Sequence, residues 1–376
     1  MLSSEFFFNL FLKKGTGFFA GVPDSSLKHF CAYITEHVSI KNHFICANEG
    51  NAVSLAAGHY LASGQIPVVY MQNSGIGNAV NPLLSIVDQD VYSIPVLLLI
   101  GWRGEPGKKD EPQHKKQGRV LLEMLKAMEI PYKIIDGSED NAKSSIDAAY
   151  EYMEKKNAPF SLVVKTESFE SYKIKKTTAR EYPLVREDAV KLIIDSIDTD
   201  DIVVSTTGMT SREVFEYREA LEHGHEKDFL IVGGMGHASQ VALGIALKEP
   251  DRKIFCLDGD GATIMHMGSM AINGTSGCEN LFHIVLNNGA HDSVGGQPTV
   301  GHKIDFIRIA EACRYKTFSS VEKKDEITVC LKKIMGAPGP HFLEIRLNKG
   351  NRKDIGRPTT SPVDNKKAFM RFVREK

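Results

Sequence analysis

The sequence predicts an α/β protein made of two doubly wound domains, each built on a parallel sheet. Short β-rich segments alternate with segments of helical period, which is the pattern of repeated βαβ units. The β-rich segments are continuously apolar, as expected of parallel strands that helices cover on both faces. The 376 residues are 42% hydrophobic and 25% charged, which suits two globular domains with full cores.

Eight apolar runs are the predicted strands. They occupy residues 43–47, 67–71, 94–101, 160–165, 201–206, 229–233, 253–259 and 282–288. Residues 171–188 interrupt this alternation with charges and Pro183, which indicates a linker. We therefore expect an N-terminal domain over residues 1–172, a linker over 173–187 and a C-terminal domain over 188–376. The two halves are consistent with a duplicated α/β domain.

Charge and cysteine usage exclude several classes of function. The net charge of −1 argues against a protein that binds nucleic acid or a membrane surface. The six cysteines are scattered without a CxxC pair, so neither a zinc site nor a disulfide framework is predicted. Free thiols in a reducing cytoplasm fit this pattern best.

The apolar N-terminal stretch "SSEFFFNLFLKKG" is predicted to be a short core helix. Ser3 or Ser4 is a suitable N-cap, Glu5 lies in the first turn, and Gly15 follows the last turn. A signal peptide is disfavoured because the stretch lacks a basic start and a small-residue cleavage pattern. No apolar stretch reaches the roughly 20 residues that span a bilayer, so a cytoplasmic protein is expected.

A glycine-rich turn follows one predicted strand. In "CLDGDGATIM" (256–265), Gly259 and Gly261 flank Asp260 where the strand ends and a helix begins. Such a junction presents free amides and the positive end of a helix dipole, so it can bind a phosphate. A carboxylate beside it suits a bridging cation. An ordinary tight turn is the alternative interpretation.

A pair of asparagines follows the next predicted strand. Asn288 of "VLNNGAH" comes 28 residues after Asp260, again where a buried strand ends. Because parallel strands share one carboxyl edge, Asp260 and the Asn287–Asn288 pair can converge there. A carboxylate, an amide oxygen and a backbone carbonyl would supply half of the octahedral coordination of Mg²⁺.

Together these two motifs resemble the thiamine diphosphate (ThDP)-dependent decarboxylases, whose cofactor motif is GDG followed by NN. The resemblance implies two ThDP-binding domains, of the PYR type and the PP type. It implies that Asp260 and Asn288 bind Mg²⁺ through their side chains and Ala290 through its carbonyl, although the register could shift the amide role to Asn287. It further implies cofactor contacts from Glu49, Asn73, Ser74, Thr207, Gly208, Met235, Gly259, Asp260, Gly261, Ala262 and Asn288.

Two of these contacts carry specific roles in the family. Glu49, in "FICANEGNAVSLAAGHYLASG" (44–64), matches the glutamate that relays a proton to the aminopyrimidine. A glutamate that simply favours a helix dipole is the alternative. Met235, in "GGMGHASQVALG" (233–244), matches the apolar residue beneath the bent cofactor, whereas a core-filling methionine is the plain interpretation.

Further segments resemble active-site loops of the family. "GVPDSSL" (21–27) makes Asp24 and Ser25 candidates for substrate contact or proton transfer, and "MQNSGIGNAVNPL" (71–83) resembles the loop over the thiazolium. Loop-forming residues without a catalytic role are the alternative in both cases.

The segments 104–119, 287–299 and 356–372 resemble the branch of the family that acts on 3-phosphonopyruvate. The resemblance implies decarboxylation to phosphonoacetaldehyde and CO₂ in phosphonate biosynthesis, with sulfopyruvate or another 2-oxo acid as the alternative substrate. It also implies a homodimer or larger assembly with active sites at the subunit interface. The residues expected at the substrate are His114 as a catalytic group, with Lys108, Lys109, Lys115, His291, Asp292 and Ser293.

An NAD-binding oxidoreductase is the competing class. Gly234 and Gly236 follow a predicted strand, and Asp258 ends the next strand, which imitates a dinucleotide fingerprint. However, Ser239 stands where close helix packing requires Gly or Ala, and this interpretation leaves Glu49 and the GDG and NN motifs unexplained. We therefore expect ThDP and Mg²⁺ as the cofactors.

Overall fold

The computed structural model describes residues 1–174 and 182–374. It divides into two compact units, Met1–Thr177 and Thr178–Lys376. The predicted linker, 173–187, includes residues 175–181, which lie outside the described residues. Leu184, near the end of that predicted linker, is 0% exposed and packs in the core of the second unit. The exact limits of the domains stay a prediction.

The N-terminal unit alternates strands with helices. Its strands are β1 (Phe19–Gly21), β2 (His43–Ile45), β3 (Val68–Gln72), β4 (Leu97–Gly101), β5 (Tyr132–Ile135) and β6 (Phe160–Val164). Its helices are α1 (Ser4–Lys13), α2 (Lys28–His37), α3 (Glu49–Ser63), α4 (Ile76–Leu83), α5 (Pro112–Ala127) and α6 (Glu139–Lys156), with a 3-10 turn at Asn73–Gly75. The strands form one parallel sheet in the order β2-β1-β3-β4-β6-β5.

The C-terminal unit repeats this alternation. Its strands are β7 (Ile202–Ser205), β8 (Asp228–Leu230), β9 (Ile254–Gly259), β10 (Leu281–Asn287), β11 (Ala290–His291), β12 (Gln297–Pro298), β13 (Thr317–Val321) and β14 (His341–Arg346). Its helices are α7 (Arg186–Ser196), α8 (Met209–Ala220), α9 (Ala238–Ala246), α10 (Asp260–Met265), α11 (Gly268–Thr275), α12 (Phe306–Ala312), α13 (Lys324–Met335) and α14 (Pro362–Arg374). The parallel sheet has the order β13-β14-β10-β9-β7-β8, and β11 and β12 form a separate antiparallel pair.

Both main sheets have the same strand order when the strands of each unit are numbered from its own start. In each sheet the second strand lies on one side of the first and the third strand on the other, so the winding direction reverses between the first and third strands. Ligands of such sheets bind beyond the carboxyl ends of the strands at this switch point. The expected sites therefore lie after β1 and β3 in one unit and after β7 and β9 in the other.

The structure confirms the predicted fold class, and each of the eight predicted strands is present. Of the strands in the described residues, sequence reasoning missed six. β11 and β12 have two residues each, β1 has only three, β5 and β13 are edge strands with half-buried faces, and β14 carries polar side chains. The predicted N-terminal helix is α1, and the Ser3 hydroxyl caps it by accepting the amide of Phe6. Within the described residues, no helix is both long enough and apolar enough to span a membrane.

The pairing of β1 with β3 depends on a glycine. Gly21 faces Tyr70 across the two strands, and a methyl group at Gly21 would lie 2.6 Å from the ring of Tyr70 and closer still to its carbonyl oxygen. A methyl group at Gly17, by contrast, would meet no atom within 4 Å.

We expect Gly21→Ala to destabilise the N-terminal unit by about 1–3 kcal/mol or more, because the methyl group would crowd the contact between β1 and β3. Gly17→Ala is the matched control and should leave stability within about 0.5 kcal/mol of wild type. Urea unfolding followed by the fluorescence of Trp102, the single tryptophan of the chain, measures this unit. Equal unfolding midpoints for the two variants would contradict the close packing of β1 on β3.

Candidate active site

The carboxyl edge of the N-terminal sheet gathers polar side chains from four successive strand ends. Asp24 follows β1, Glu49 follows β2, Asn73 follows β3 and Arg103 follows β4. Three of these four residues were predicted from the sequence, whereas Arg103 was not.

Glu49 is a buried carboxyl group at the start of α3. It is 4% exposed, and its Oε2 accepts a hydrogen bond of 2.7 Å from Asn78 Nδ2. Burial raises the pKa of Glu49, and the bond from Asn78 offsets only part of that effect. Gly75 makes room for the carboxyl group, since a methyl group there would lie 2.5 Å from the carboxyl carbon. The raised pKa of Glu49 favours the protonated carboxyl group, which can donate a hydrogen bond.

Asp24 lies fully buried beneath the turn after β1. Its Oδ2 accepts the amides of Ser26 (2.9 Å) and Leu27 (3.1 Å), while its Oδ1 has no hydrogen-bond partner in the described part of the chain. Burial raises the pKa of Asp24 to about 6, although the positive charge of Arg103 acts in the opposite direction. The neighbouring Ser25 keeps its hydroxyl at the edge, where the oxygen accepts a hydrogen bond from Arg103 Nη1.

Arg103 is held from two sides. Its backbone amide donates to Asn73 Oδ1 (3.2 Å), and its carbonyl accepts from Asn73 Nδ2 (2.8 Å). Its guanidinium donates from Nε (2.9 Å) and Nη2 (2.5 Å) to the two oxygens of Asp110. His114 also bonds Asp110, with 3.0 Å between His114 Nδ1 and Asp110 Oδ1, and burial lowers the pKa of His114.

Arg103 and Asp110 were not predicted as site residues. The sequence signal that could have found them was an arginine two residues after an apolar strand, followed seven residues later by Asp110. The predicted cations Lys108, Lys109 and Lys115 are instead exposed, and Lys108 lies 3.2 Å from Glu105. Ser74 is also exposed and its hydroxyl accepts a bond of 2.5 Å from Gln72.

In the C-terminal unit, Asp260 is the first residue of α10 and is 2% exposed. Its Oδ2 accepts a hydrogen bond from the Thr299 hydroxyl, a contact that sequence reasoning missed. Burial raises the pKa of Asp260 to about 6, despite the bonds from Thr299 and the amide of Asn288. A cation at this carboxylate would lower that pKa again, because it stabilises the charged form.

The two asparagines have different surroundings. Asn288 bonds Asp292 through Nδ2 (2.7 Å), and its Oδ1 accepts the amide of Ala290 (3.1 Å). Asn287 is fully buried, and its Nδ2 donates to Glu344 (2.6 Å). These contacts place both amide groups at the end of β10.

Gly301 shows which oxygens converge on Asp260. A methyl group at Gly301 would lie 2.5 Å from Asp260 Oδ2 and 2.5 Å from Asn287 Oδ1, so these two oxygens are at most about 5 Å apart. The structure therefore brings Asp260 together with Asn287 and leaves the alternative register open. The metal-binding roles of Asn288 and Ala290 stay predictions.

The turn after β7 is suited to an anion. Gly208 is the N-cap of α8 with a φ of 102°, and no side chain caps that helix, so its first amides are available to a diphosphate. The Thr207 hydroxyl accepts the amide of Gly233 (3.0 Å), which ties this turn to the turn that carries Met235. Met235 is half-buried between β8 and α9.

The predicted residues after β10 divide into two groups. His291 packs on the GDG turn, since a methyl group at Gly261 would lie 2.8 Å from its ring, and burial lowers the pKa of His291 to about 4. Ser293 lies 3.7 Å from the position of a methyl group at Gly208. Asp292 is paired instead with Arg186 at 3.1 Å, in a buried network with Glu213.

These residues fit ThDP and Mg²⁺. The oxygens that converge at Asp260 are the carboxylate of Asp260 and the amide oxygen of Asn287, which are of the kind that Mg²⁺ prefers. A second group of metal-ligating residues, Cys256, Asp258 and His283, is fully buried, with its ligand atoms within 4.8 Å of one another. Its thiol and imidazole ligands suit softer metals than Mg²⁺.

The dinucleotide fingerprint is not supported by the position of Asp258. Its carboxylate is 1% exposed, accepts the amide of Gly259 (2.9 Å) and the hydroxyl of Thr263 (3.3 Å), and faces His283. A carboxylate held in this way cannot reach the ribose of a bound nucleotide.

Comparison with known proteins identifies relatives over nearly the whole length of the chain. Residues 3–128 match the thiamine pyrophosphate enzyme N-terminal TPP binding domain, and residues 206–345 match the C-terminal TPP binding domain of the same enzymes. The chain is 31% identical to a phosphonopyruvate decarboxylase of Streptomyces viridochromogenes, over 94% of this chain and 90% of the relative. It is 29% identical to a phosphonopyruvate decarboxylase of Streptomyces hygroscopicus, over 95% and 90% of the two chains. A sulfopyruvate decarboxylase of Methanosarcina acetivorans is 26% identical, over 93% and 92%.

The buried Asp24 predicts a specific pH dependence of stability. Its pKa is about 6 in the folded chain against its usual 3.8, so the folded state holds a proton that the unfolded state releases. Its contribution to stability is therefore present below about pH 4 and is lost as the pH rises through about 6, by about 3 kcal/mol in all.

Asp24→Asn should remove this dependence, so the stability of wild type relative to the variant should fall by about 2.4 kcal/mol between pH 4 and pH 7. Urea unfolding at pH 4, 5, 6 and 7 measures the difference, with Asp90→Asn at an exposed position as the control. A pH-independent difference between wild type and Asp24→Asn would show that folding does not raise the pKa of Asp24.

Proposed function

Since the chain belongs to the thiamine pyrophosphate enzyme family, we propose that it decarboxylates 3-phosphonopyruvate to phosphonoacetaldehyde and CO₂, using ThDP and Mg²⁺, in phosphonate biosynthesis. It is a 2-oxo acid decarboxylase. The observation that carries the chemistry is the buried Glu49 carboxyl group with its raised pKa at the edge of the first sheet. The phosphonopyruvate decarboxylases of the two Streptomyces species support the substrate.

The residues that would hold the cofactor come from both units. Asp260, Asn288 or Asn287, and the carbonyl of Ala290 would bind Mg²⁺. The turns that contain Thr207, Gly208, Gly259, Gly261 and Ala262 would bind the diphosphate, Met235 would lie beneath the cofactor, and Asn73 and Ser74 would lie near its reactive ring. When bound, ThDP supplies a nucleophilic carbon and accepts the electrons that the departing CO₂ leaves behind.

Glu49 would move the proton that activates this chemistry. A carboxyl group whose raised pKa favours the protonated form can donate a hydrogen bond to a ring nitrogen and then share the proton with it. The bond from Asn78 fixes the carboxyl group in one orientation, and Gly75 allows its close approach. Asp24, Ser25 and His114 would act at the substrate.

Sulfopyruvate is the second candidate substrate, because the Methanosarcina sulfopyruvate decarboxylase is similar over nearly the whole chain. The two acids differ mainly in charge, since a phosphonate carries nearly two negative charges at neutral pH and a sulfonate carries one. We place the enzyme in the reducing cytoplasm, in keeping with its six free cysteines.

We expect kcat/KM for phosphonopyruvate to exceed that for pyruvate by at least about 10²-fold, or about 2.7 kcal/mol, which two charge-assisted contacts can supply. Sulfopyruvate should rank between them. Coupled reduction of the aldehyde product, with ThDP and Mg²⁺ present, measures all three acids. Faster turnover of sulfopyruvate or pyruvate would overturn the phosphonate assignment while leaving a 2-oxo acid decarboxylase.

We also propose a homodimer or larger assembly in which each active site combines the N-terminal unit of one subunit with the C-terminal unit of its partner. The division of the implied cofactor contacts between the two units supports this arrangement. Residues such as Glu49 and Asp260 would then serve the same site from different subunits.

Mixing two inactive variants tests the shared site. Glu49→Gln should still bind ThDP but lose proton relay, and Asp260→Ala should lose ThDP retention, so each alone should be inactive. In randomly mixed dimers of the two variants, half of the dimers are mixed and one of their two sites is intact, so about a quarter of wild-type activity should return. An inactive mixture of exchanged subunits would place each site within one subunit.

A further inference from the structure

One cation of the N-terminal unit lies inside the candidate site, while its neighbours lie on the surface. Arg103 has a side chain that is 19% exposed, and it sits between the turn after β1 and the turn after β3. Lys108, Lys109 and Lys115 follow in the chain and are exposed. An exposed ammonium is screened by solvent and salt, so it discriminates weakly between anions.

Arg103 shares its edge of the sheet with the predicted proton relay. Asn73 holds the backbone of Arg103 through both its amide nitrogen and its amide oxygen, and Asn73 begins the 3-10 turn that ends at Gly75. Gly75 in turn lies against the carboxyl group of Glu49. A substrate that reacts beside Glu49, at the end of β2, therefore has Arg103 at the same edge of the sheet, at the end of β4.

The guanidinium has donors left for a ligand. Of its five N–H groups, Nε and one on Nη2 bond Asp110, and one on Nη1 bonds Ser25. Within residues 1–174 and 182–374, one N–H on Nη1 and one on Nη2 have no acceptor. These two donors, called the fork below, lie on adjacent guanidinium nitrogens and are available to the oxygens of a phosphonate.

Asp110 orients this fork and does not compete for it. Its oxygens already accept bonds from the amides of Gly104 (2.7 Å) and Glu111 (2.8 Å), from His114, and from Arg103. Burial alone would raise the pKa of Asp110, but the bonds from Arg103 and His114 outweigh it and hold that pKa below its usual range. The carboxylate therefore stays charged and fixes the guanidinium plane.

Ser25 completes the donor set. Its oxygen accepts from Arg103, so its hydroxyl hydrogen can be donated to a ligand. Resting on the function proposed above, we infer that Arg103 and Ser25 form the subsite that binds the phosphonate group and selects the substrate whose terminal group is dianionic. The exposed lysines contribute to the general attraction of anions.

Arg103→Gln tests the subsite, with Arg119→Gln, an exposed arginine on α5, as the matched control. Arg103→Gln should lower kcat/KM for phosphonopyruvate by at least about 10²-fold, mainly through KM, and should lower the phosphonopyruvate-to-pyruvate selectivity ratio by at least about 30-fold. Arg103→Lys keeps the charge without the fork and should retain part of the ratio. Arg119→Gln should leave both values within about threefold of wild type.

Ser25→Ala is the second variant, because it leaves the ion pair of Arg103 and Asp110 intact. It should lower the selectivity ratio about tenfold, while circular dichroism and ThDP binding should match wild type. If wild type shows no preference for phosphonopyruvate, the proposed function and this subsite fail together. If wild type shows the preference and Arg103→Gln keeps the ratio, or lowers both substrates equally, only the subsite assignment is overturned.

Discussion

The burial of carboxyl groups at the ends of parallel strands is the constraint on which the candidate sites of both units depend. Asp24, Glu49 and Asp260 are each at most 4% exposed, and burial raises the pKa of all three. Each carboxyl group lies against a glycine, where a methyl group would come within 2.5–2.9 Å of carboxyl atoms: Gly101, Gly75 and Gly301. A side chain at any of these glycines would expel the acid into solvent, where its pKa would return to the ordinary range. Proton chemistry at these positions thus depends on residues that carry no chemistry themselves.

The two units use one strand order for different tasks. In both sheets the winding reverses between the first and third strands, so the turns at those strand ends face the space where a ligand binds. The N-terminal unit places a protonatable carboxyl group and a guanidinium there, which suits proton transfer and anion selection. The C-terminal unit places an uncapped helix start and oxygen ligands there, which suits a diphosphate with its metal ion. The fold therefore determines where the chemistry occurs, and the turn residues determine which chemistry it is.

Local signals carried most of what could be predicted from the sequence. The eight apolar strands, α1 and the position of Glu49 at the start of α3 follow from short-range patterns of apolar residues, caps and glycines. The pairing of Arg103 with Asp110 joins residues across an irregular loop, and no periodicity reports such a contact. The surroundings of Asn287 depend on Glu344, whose side chain meets it only after the sheet is assembled, and Asn288 meets Asp292 within an irregular turn. Side-chain contacts within irregular loops and between distant strands were therefore the part that sequence reasoning could not reach.

The charges at the carboxyl edge of the N-terminal unit's sheet must satisfy two opposing demands. A dianionic group needs a cation for recognition, but a cation at the carboxylate that leaves as CO₂ would stabilise the ground state and slow its loss. A flexible lysine could reach either group. Arg103 cannot, because Asp110 holds its guanidinium in one plane and Asn73 holds its backbone at the strand end. Asp110 also neutralises much of the positive charge of the guanidinium. Strong attraction is therefore confined to a ligand that meets both free N–H groups. The ion pair thus makes the arginine directional, which a decarboxylase for a substrate with a doubly charged phosphonate requires.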